Sequence, residues 1–321
     1  MLYKKILASI IIFILTAGTV TYFMIITVQK QRSLAFCSYQ PHWMGHDNMS
    51  EIVSDLTLIK GMGFDGVKIF YEYIVDKGLV EPILEYTKRI GLKVIFATHA
   101  TYWGSKYRNI DFPNEKIIKD YERQLGAICK NITVHKYTHV LFIAVYYPIP
   151  FNDSKSEIIR KLNSPEYKQA LEAIVNYVKS YGIKVSMDTE GNPQDFPVPY
   201  IQNTDFYGIM PYSPNWNYMN ITYIESWASY FKNTGKKVYM SEYGFRTWRP
   251  NTAGQWDFGM VSNETIKAKL VKEYVNYCRK NFEFFTYFAL FDADGGWGLV
   301  DNQTRTLRKS GTAMLEALSK D

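Results

Sequence analysis

Carboxylates that follow apolar runs are the residues of this sequence best suited to chemistry. Glu242 stands in the stretch VYMSEYGF, where an apolar run delivers one carboxylate and is followed by Gly244. Burying a carboxylate there costs free energy unless it has a partner or a function; an ion pair with Arg246 or Arg249 is the structural alternative. Glu190 similarly ends the run VSMDTE. A carboxylate that ends an apolar run is therefore a candidate functional residue, and Glu242 is the strongest such signal in the sequence.

Aromatic residues are unusually abundant, with 26 Tyr, 19 Phe and 7 Trp in 321 residues. Most of these rings are expected to fill the core, but Tyr and Trp also present a flat apolar face with a polar edge. Such rings suit a ligand that is flat on one side and hydroxylated at its rim, and sugars have that shape. We therefore predict a carbohydrate partner, contacted by residues that follow or end apolar runs: His99, Trp103, Tyr146, Tyr212, Asp292 and Trp297.

Charge and motif content argue against several other functions. The formal charge of +6 includes four basic residues among the first 33, so the remaining 33 basic and 31 acidic side chains leave only +2. A nucleic-acid surface needs clustered uncompensated cations, and none is predicted. No Gly-x-Gly-x-x-Gly cofactor motif occurs. His42 and His46 are four apart, but Pro41 and Gly45 favour a loop, so neither a cofactor nor a metal is predicted.

Eight short runs rich in β-branched and aromatic residues recur along the chain. Their interiors, such as VKIF, KVIFA and FALF, are continuously apolar, as in parallel strands that helices cover on the outside. Eight strand–helix units predict a closed (β/α)₈ TIM barrel, an α/β fold, with a doubly wound open sheet as the alternative. The predicted strands are 34–38, 66–71, 92–98, 139–146, 184–188, 206–210, 237–242 and 285–291.

Helices are predicted between most of these strands. In 166–180 the apolar residues recur at i, i+3 and i+4, which forms one buried stripe. Similar stripes predict helices over 52–61, 79–90, 117–129 and 265–279. Gly91 and Gly182 each follow such a stripe and precede a strand, where a left-handed glycine can end a helix.

The N-terminal segment carries a different signal. Residues 6–28 form an uncharged apolar run of about 23 residues, or roughly 35 Å of helix, enough to cross a hydrocarbon core of about 30 Å. We predict one N-terminal transmembrane helix, with residues 1–33 as an uncleaved signal-anchor and 34–321 as the barrel domain. A cleaved signal, which would make the protein secreted, is the alternative.

Glycosylation acceptors favour an external location for the barrel. Six Asn-x-Ser/Thr patterns occur where chance would give about two, and such acceptors are useful only outside the cytosol. They predict a glycoprotein whose barrel lies on the extracellular side of the cell membrane. The three cysteines allow at most one disulfide and lack metal or redox spacing. The six acceptors are Asn48, Asn131, Asn152, Asn220, Asn263 and Asn302.

With these elements in place, the chain resembles the clan A glycoside hydrolases, and most nearly family 17, the β-1,3-glucanase-like barrels. The pattern Ser-Glu-x-Gly-aromatic at 241–245 is similar to that family's nucleophile strand. FALFD at 288–292 with Trp-Gly-Leu at 297–299 is similar to its last strand and following loop. The matches span the barrel order, but only those at the seventh and eighth strands are specific. The resemblance implies that Glu242 is the nucleophile and that Tyr212 orients it.

The chain departs from the family at the fourth strand. In clan A that strand ends in Asn-Glu, whose Glu is the general acid and base, whereas here it runs FIAVYYPIP without an acid. Retaining hydrolysis needs two carboxyl groups about 5–5.5 Å apart. Glu190 is the first candidate for the second group, with a structural salt bridge as its alternative; Asp153 and Glu72 follow.

Two functions remain open on this evidence. The first is a retaining glycoside hydrolase or transglycosylase acting on β-linked polysaccharide at the cell surface, with Glu242 as nucleophile. The second is a catalytically impaired glycan-binding or surface-structural protein that keeps the barrel but lacks the proton-transfer group. Loss of the proton donor typically lowers the rate by a factor of about 10²–10⁴. Whether the chain has such a donor therefore decides between the hydrolase and the binding protein.

Overall fold

Most of the chain after the N-terminal segment is described by a computed structural model. The described residues are 32–46, 48–98, 113–146, 156, 160–161, 163–190, 201–211, 221–247, 261–292 and 296–320. Residues 33–321 form one compact unit.

Eight parallel strands form a closed barrel in the order of the sequence. Each strand pairs in parallel with the next, and β1 pairs with β8 to close the ring. The predicted TIM barrel is therefore confirmed, and closure excludes the open doubly wound sheet. The strands are β1 (Leu34–Tyr39), β2 (Gly66–Phe70), β3 (Lys93–Ala97), β4 (Val140–Tyr146), β5 (Val185–Glu190), β6 (Phe206–Met210), β7 (Lys237–Tyr243) and β8 (Phe284–Tyr287).

Helices follow the strands and form the outer layer. Within the described residues they are α1 (Met49–Gly61), α2 (Tyr71–Asp76), α3 (Val80–Ile90), α4 (Glu115–Val134), α5 (Pro165–Lys179), α6 (Ile221–Lys232), α7 (Glu264–Asn281) and α8 (Lys309–Leu318), with a short 3-10 helix at Pro41–Met44. The five helices that the sequence predicted are present. Helices α2, α6 and α8 were not predicted; α2 has only six residues, too few to show a helical period.

Helix α5 shows why the apolar period is a good guide in this chain. Ser164 accepts a hydrogen bond from the backbone N–H of Tyr167, and Pro165 occupies the first turn, two features that start a helix. Its buried residues are the predicted stripe: Tyr167, Ala170, Leu171, Ile174, Val175 and Val178. Gly91 and Gly182 have φ of 70° and 74°, so both adopt the predicted left-handed conformation before a strand.

Aromatic rings fill the interior of the barrel at the amino ends of the strands. The ring of Phe142 lies 4.9 Å from that of Phe206 and 5.1 Å from that of Tyr239, measured between centroids, and Phe36 and Phe284 complete the group. We call these five residues the inner aromatic cluster. The cluster fills the barrel at the amino ends of its strands. Any ligand must therefore enter from the carboxyl ends, where barrel active sites lie.

Strand β8 is shorter than predicted. The sequence indicated a strand through Phe291, but the ladder ends at Tyr287. The segment that follows is nonetheless buried: Phe288 donates its N–H to the carbonyl of Tyr243, and Leu290 accepts from the N–H of Leu299. Residues 288–291 are therefore apolar because they are buried beyond the end of the β8 ladder.

The predicted membrane helix concerns the N-terminal segment of the chain. No helix in the described part of the chain has the length and apolar character needed to cross a bilayer. The predicted anchor segment, residues 6–28, lies outside the described residues, so the division of the chain at residue 33 stays a prediction.

Several glycosylation patterns have a structural explanation. Asn48 and Asn263 are the N-caps of α1 and α7, and their side chains accept hydrogen bonds from the backbone of the first turn. Asn131 donates its amide to the Ala127 carbonyl inside α4, and Asn302 donates to the carbonyl of Asp292. Asparagine is favoured at such caps, so the patterns at Asn48 and Asn263 have a structural reason that does not involve glycosylation.

Candidate active site

A β-bulge in β7 directs Glu242. The Cα register advances from Met240 to Tyr243 on β7 while it advances only from Phe285 to Tyr287 on β8, so β7 contains one extra residue. Met240 is buried in the outer core, and Tyr243 stacks on Tyr274 of α7 with ring centroids 5.6 Å apart. Both residues therefore face the helices, and Ser241 between them contacts Lys68 and Asp188 in the barrel interior. Glu242 is partly exposed at this strand end.

A buried polar group lies directly beneath, formed by Lys68, Ser186, Asp188, Tyr239 and Ser241. We call it the inner polar layer. Lys68 Nζ lies 2.7 Å from Asp188 Oδ2, and the two side chains are 2% and 3% exposed. The same ammonium donates to Ser241 Oγ at 2.6 Å and to the Ser241 carbonyl at 3.1 Å. One lysine thus contacts both the side chain and the backbone of the residue that precedes Glu242.

Asp188 gathers donors from three strands. Besides Lys68 on β2, it accepts from Tyr239 Oη at 2.6 Å, from Ser186 Oγ at 3.0 Å and from Ser241 Oγ. Burial, together with the nearby Asp188 charge, holds the pKa of Tyr239 well above its ordinary value, so the phenol stays a donor. The ion pair is desolvated but fully hydrogen-bonded, which is the condition under which a buried pair is tolerated.

Gly208 on β6 makes room for this carboxylate. A Cβ at this position would lie 2.2 Å from Asp188 Oδ1 and 2.7 Å from Ser241 Cβ. No side chain fits there without displacing the inner polar layer. Gly208 is therefore required by close packing, in the segment FYGIM where a glycine interrupts an apolar strand.

Trp297 lies beside the end of β7. Its ring packs edge-on against Phe288 at 5.5 Å, and the guanidinium of Arg246 lies 5.5 Å from the ring centroid. A Cβ on Gly244 would meet the Phe288 carbonyl at 1.9 Å and the Trp297 ring at 3.2 Å. The glycine that follows Glu242 thus allows the loop carrying Trp297 to approach the strand end. Trp297 itself is 7% exposed, so it serves as a wall more than as an open platform.

A buried lysine holds the Trp297 loop. Lys267 of α7 is fully buried and donates to the carbonyls of Gly296 and Gly298 at 2.8 and 2.7 Å, with Glu264 Oε1 at 3.5 Å. Burial lowers the pKa of Lys267 from 10.5 to about 8, an effect that the Glu264 carboxylate opposes. The two carbonyls flank Trp297, so this ammonium is one of the groups that hold the loop carrying the indole.

Asp292 supports the same loop. Its Oδ1 accepts from the N–H of Gly298 at 2.6 Å, and its Oδ2 forms an ion pair with Arg308. Its backbone is clamped by the amide of Asn302. Both carboxylate oxygens thus have protein partners, which gives Asp292 a structural role that sequence reasoning did not foresee. Its predicted contact with a substrate stays a prediction.

Some of the other predicted site residues are among the described residues and some are not. Tyr146 ends β4 and is 6% exposed; its N–H donates to Thr98 Oγ1 at 2.8 Å. Glu190 ends β5 as its last strand residue, paired with Met210, but its side chain lies outside what is described. His99, Trp103 and Tyr212 also lie outside the described residues.

Strand β4 is the strand on which the clan A resemblance places the general acid. Its residues are VLFIAVY, none of them acidic, and the sequence continues with YPIP. Glu72, a weaker candidate, is 2% exposed in the first turn of α2, directly after β2. Asp153 lies outside the described residues.

No group of three or more His, Cys, Asp or Glu side chains in the described part of the chain is arranged to hold a metal ion. His46 Nδ1 lies 2.6 Å from Asp55 Oδ2, which also accepts from Tyr39, so this histidine has a carboxylate partner. His42 lies in the short 3-10 helix that the Pro41–Gly45 stretch forms instead of a longer helix.

Lys68 and Asp188 are the site residues that sequence reasoning missed. A signal was present: a lysine inside the apolar run GVKIF cannot be solvated in a strand that is covered on both faces, so it needs a buried carboxylate. Asp188 inside VSMDTE is the matching signal. The pair is identified only by the contact that β2 and β5 make across the barrel interior.

Comparison with known proteins locates this barrel among glycoside hydrolase folds. No family model and no curated protein matches the chain. A glycoside hydrolase of family 5, subfamily 18, from Streptomyces cattleya, solved with GlcNAc, has a TM-score of 0.64 at 11% identity, covering 90% of this chain and 80% of that one. A family 113 β-1,4-mannanase has a TM-score of 0.58 at 11% identity, covering 90% and 99%.

A third similar structure is an exo-β-1,4-mannosidase from Opitutaceae bacterium strain TAV5, with a TM-score of 0.61 at 15% identity, covering 89% of this chain and 59% of that one. At such identities the likeness concerns the fold. This chain thus shares the (β/α)₈ barrel fold with these glycoside hydrolases.

Proposed function

We propose that this chain is a glycoside hydrolase or transglycosylase acting on β-linked polysaccharide by a retaining mechanism, with Glu242 as nucleophile. The β7 bulge carries the proposal, because it presents a partly exposed carboxylate at the open end of a barrel whose other end is closed by aromatic rings. Trp297 beside the same strand end offers an apolar wall for a sugar ring. The family-17-like pattern at 241–245 is further support for this choice of residue.

The proposed reaction has two displacements. Glu242 attacks the anomeric carbon, and the bond to the leaving oxygen breaks while an acid donates a proton to that oxygen. Water or a sugar hydroxyl then attacks the glycosyl–enzyme ester and gives its proton to the same group, now a base. This exchange returns Glu242 to its ionised form, so no further co-reactant is needed.

We assign Glu190 as the acid and base. Glu190 pairs with Met210, and Ile209 pairs with Met240. When the second pairing is continued by one residue, Met210 lies beside Ser241, so we infer that Glu190, Met210 and Ser241 form one row across three strands. Adjacent strands lie about 4.8 Å apart, so the Cα atoms of Glu190 and Ser241 are within about 10 Å. Side chains of glutamate length can bridge that span to the 5–5.5 Å that retaining chemistry needs. This register supports Glu190 as the second carboxylate.

The substrate class follows from the neighbours and from the site. The similar structures include a β-1,4-mannanase and an exo-β-1,4-mannosidase, and the resemblance to family 17 favours β-glucan. We propose a β-linked glucan or mannan, contacted by Trp297 and Tyr146 and by the predicted residues His99, Trp103 and Tyr212.

The decisive experiment compares Glu242→Gln with the wild type on β-1,3-glucan, β-1,4-mannan and Manβ1-4GlcNAc. Release of reducing sugar should disappear while binding of the same glycans persists. Glu283→Gln is the matched control, because Glu283 pairs with Lys237 at the amino end of β8, and it should keep wild-type activity. Hydrolysis by Glu242→Gln at the wild-type rate would reject the assignment.

A binding-only protein is the second candidate, favoured by the absence of an acid in β4 and in the four residues that follow it. It predicts glycan binding by calorimetry with no hydrolysis by the wild type, even of aryl β-glycosides whose good leaving group needs little protonation. Hydrolysis of aryl β-glycosides but not of polysaccharides would instead indicate an active nucleophile without an efficient acid.

We also propose that residues 1–33 anchor the protein in the cell membrane with the barrel on the extracellular side. The uncharged apolar run at 6–28 supports this. The full chain should remain in membranes after alkaline carbonate extraction, and a chain starting at Ser33 should not. Release of the full chain in a shorter form would favour the cleaved signal.

A further inference from the structure

Lys68 is placed to control the conformation from which Glu242 projects. In a regular ladder a backbone carbonyl on β7 accepts from the neighbouring strand, but a bulge disrupts that pairing locally. At this bulge the Ser241 carbonyl accepts a hydrogen bond from Lys68 Nζ at 3.1 Å. The lysine therefore satisfies a backbone group next to the extra residue.

The same ammonium also fixes the Ser241 side chain. Lys68 Nζ lies 2.6 Å from Ser241 Oγ, which itself donates to Asp188. Lys68 on β2, Asp188 on β5 and Ser241 on β7 thus each contact the other two. A residue held at both its carbonyl and its hydroxyl has little freedom in φ, ψ or χ1, and the next residue along the chain is Glu242.

Asp188 keeps the lysine in place. It accepts from Lys68, Tyr239, Ser186 and Ser241, and Gly208 leaves the space that it fills. The pair is buried, so water does not screen it, and removal of one partner leaves an uncompensated charge. The arrangement is costly for a barrel that needs only packing, because an apolar pair of similar volume is often at least as stabilising.

We propose that Lys68 and Asp188 are positioning residues, which hold the Ser241 bulge so that the Glu242 carboxylate stays aimed at the anomeric carbon. This inference rests on the proposed function for its catalytic consequence, but its structural part is independent of any substrate. Neither residue touches the substrate in this proposal. Both act through Ser241.

The test uses a double variant, because Lys68→Met alone leaves a buried unpaired carboxylate and can fail to fold. Lys68→Met/Asp188→Asn removes both charges together and keeps the approximate shape. Lys179→Met is the matched control: Lys179 pairs with Asp205 at the amino ends of β5 and β6, at the opposite end of the barrel. Urea unfolding first establishes that each variant is folded.

The test has three readouts. Amide hydrogen exchange on the peptide covering 237–247 should be faster in the double variant and unchanged in Lys179→Met. On aryl β-glycosides, kcat should fall about 100-fold with KM within threefold, since a displacement near 1 Å costs that much in rate. Labelling of Glu242 by a 2-deoxy-2-fluoro-β-glycosyl fluoride should slow by a similar factor.

The outcomes separate the two proposals. If the wild type neither hydrolyses nor is labelled, the proposed function fails, and the exchange measurement alone decides whether Lys68 holds the bulge. Unchanged exchange at 237–247 in a folded double variant overturns the positioning role. Faster exchange with wild-type kcat and wild-type labelling overturns it as well, because Glu242 would then be aimed correctly without Lys68.

Discussion

Replacing Lys267 with methionine should change how stability depends on pH. The ammonium of Lys267 is buried in α7 and donates to two carbonyls of the Trp297 loop, and burial lowers its pKa from 10.5 to about 8. Between these two values the unfolded chain holds a proton that the folded protein has released. The free energy of unfolding of the wild type therefore rises with pH in this window, relative to a variant that lacks the group.

The magnitude follows from the two pKa values. A lowering from 10.5 to about 8 corresponds to about 3 kcal/mol in total, at 1.36 kcal/mol per pKa unit. From about pH 7 to about pH 9.5, where urea unfolding can be measured, about 2 kcal/mol of this should appear as a gain of the wild type over Lys267→Met. Below about pH 7 the difference between the two proteins should be constant, because both states are then protonated.

Urea unfolding at a series of pH values measures this difference directly. Lys272→Met is the control: Lys272 lies on the exposed side of the same helix and pairs with Glu316. The pH dependence of its own stability difference serves as the baseline for a surface lysine. A difference between wild type and Lys267→Met that stays flat across the window, after this correction, would refute the claim that the buried ammonium carries a desolvation cost.

Three further predictions concern packing, thiols and capping. Gly208→Ala should destabilise the barrel by about 1–3 kcal/mol or more in urea unfolding, because the added methyl overlaps Asp188; stability equal to the wild type would show that the inner polar layer yields easily. Burial raises the pKa of all three thiols, that of Cys129 to about 12, so the native protein should not react with a thiol reagent at neutral pH and should react with three equivalents once unfolded. Fast reaction of any thiol in the native protein would contradict its burial. Asn263→Ala should cost about 1 kcal/mol because the side chain caps α7 through two backbone N–H groups, whereas Asn263→Asp should keep most of that stability while removing the glycosylation pattern; equal losses for the two variants would show that capping is not the role of Asn263.

The position of Glu242 illustrates how far sequence reasoning reaches. The stretch VYMSEYGF predicts a strand ending in a carboxylate, and β7 spans Lys237–Tyr243. Strict alternation along that strand would turn Glu242 to the same face as Met240, which packs against the helices. The bulge reverses this, and a bulge depends on how β7 pairs with β8, which no local pattern encodes.

Asp292 is a residue that the sequence identified as unusual but whose partner it did not predict. Its place after the last strand made it a candidate for substrate contact, but Gly298 and Arg308 engage both of its oxygens. Arg308 lies 16 positions along the chain. The sequence can mark a carboxylate as unusual, but it does not say whether its partner is a substrate or a distant arginine.

The barrel itself was determined by the sequence. Continuous apolar runs, helical stripes and left-handed glycines are local signals, and they suffice because each strand is covered on both faces while each helix buries one face against the sheet. The inner polar layer was decided only by the tertiary structure. Lys68, Asp188 and Ser241 are separated by 120 and 53 positions, and they meet because closure of the ring gives β2, β5 and β7 one common interior. Closure of the ring decides which side chains become hydrogen-bond partners in that interior. The spacing of these residues along the chain therefore does not predict which of them pair.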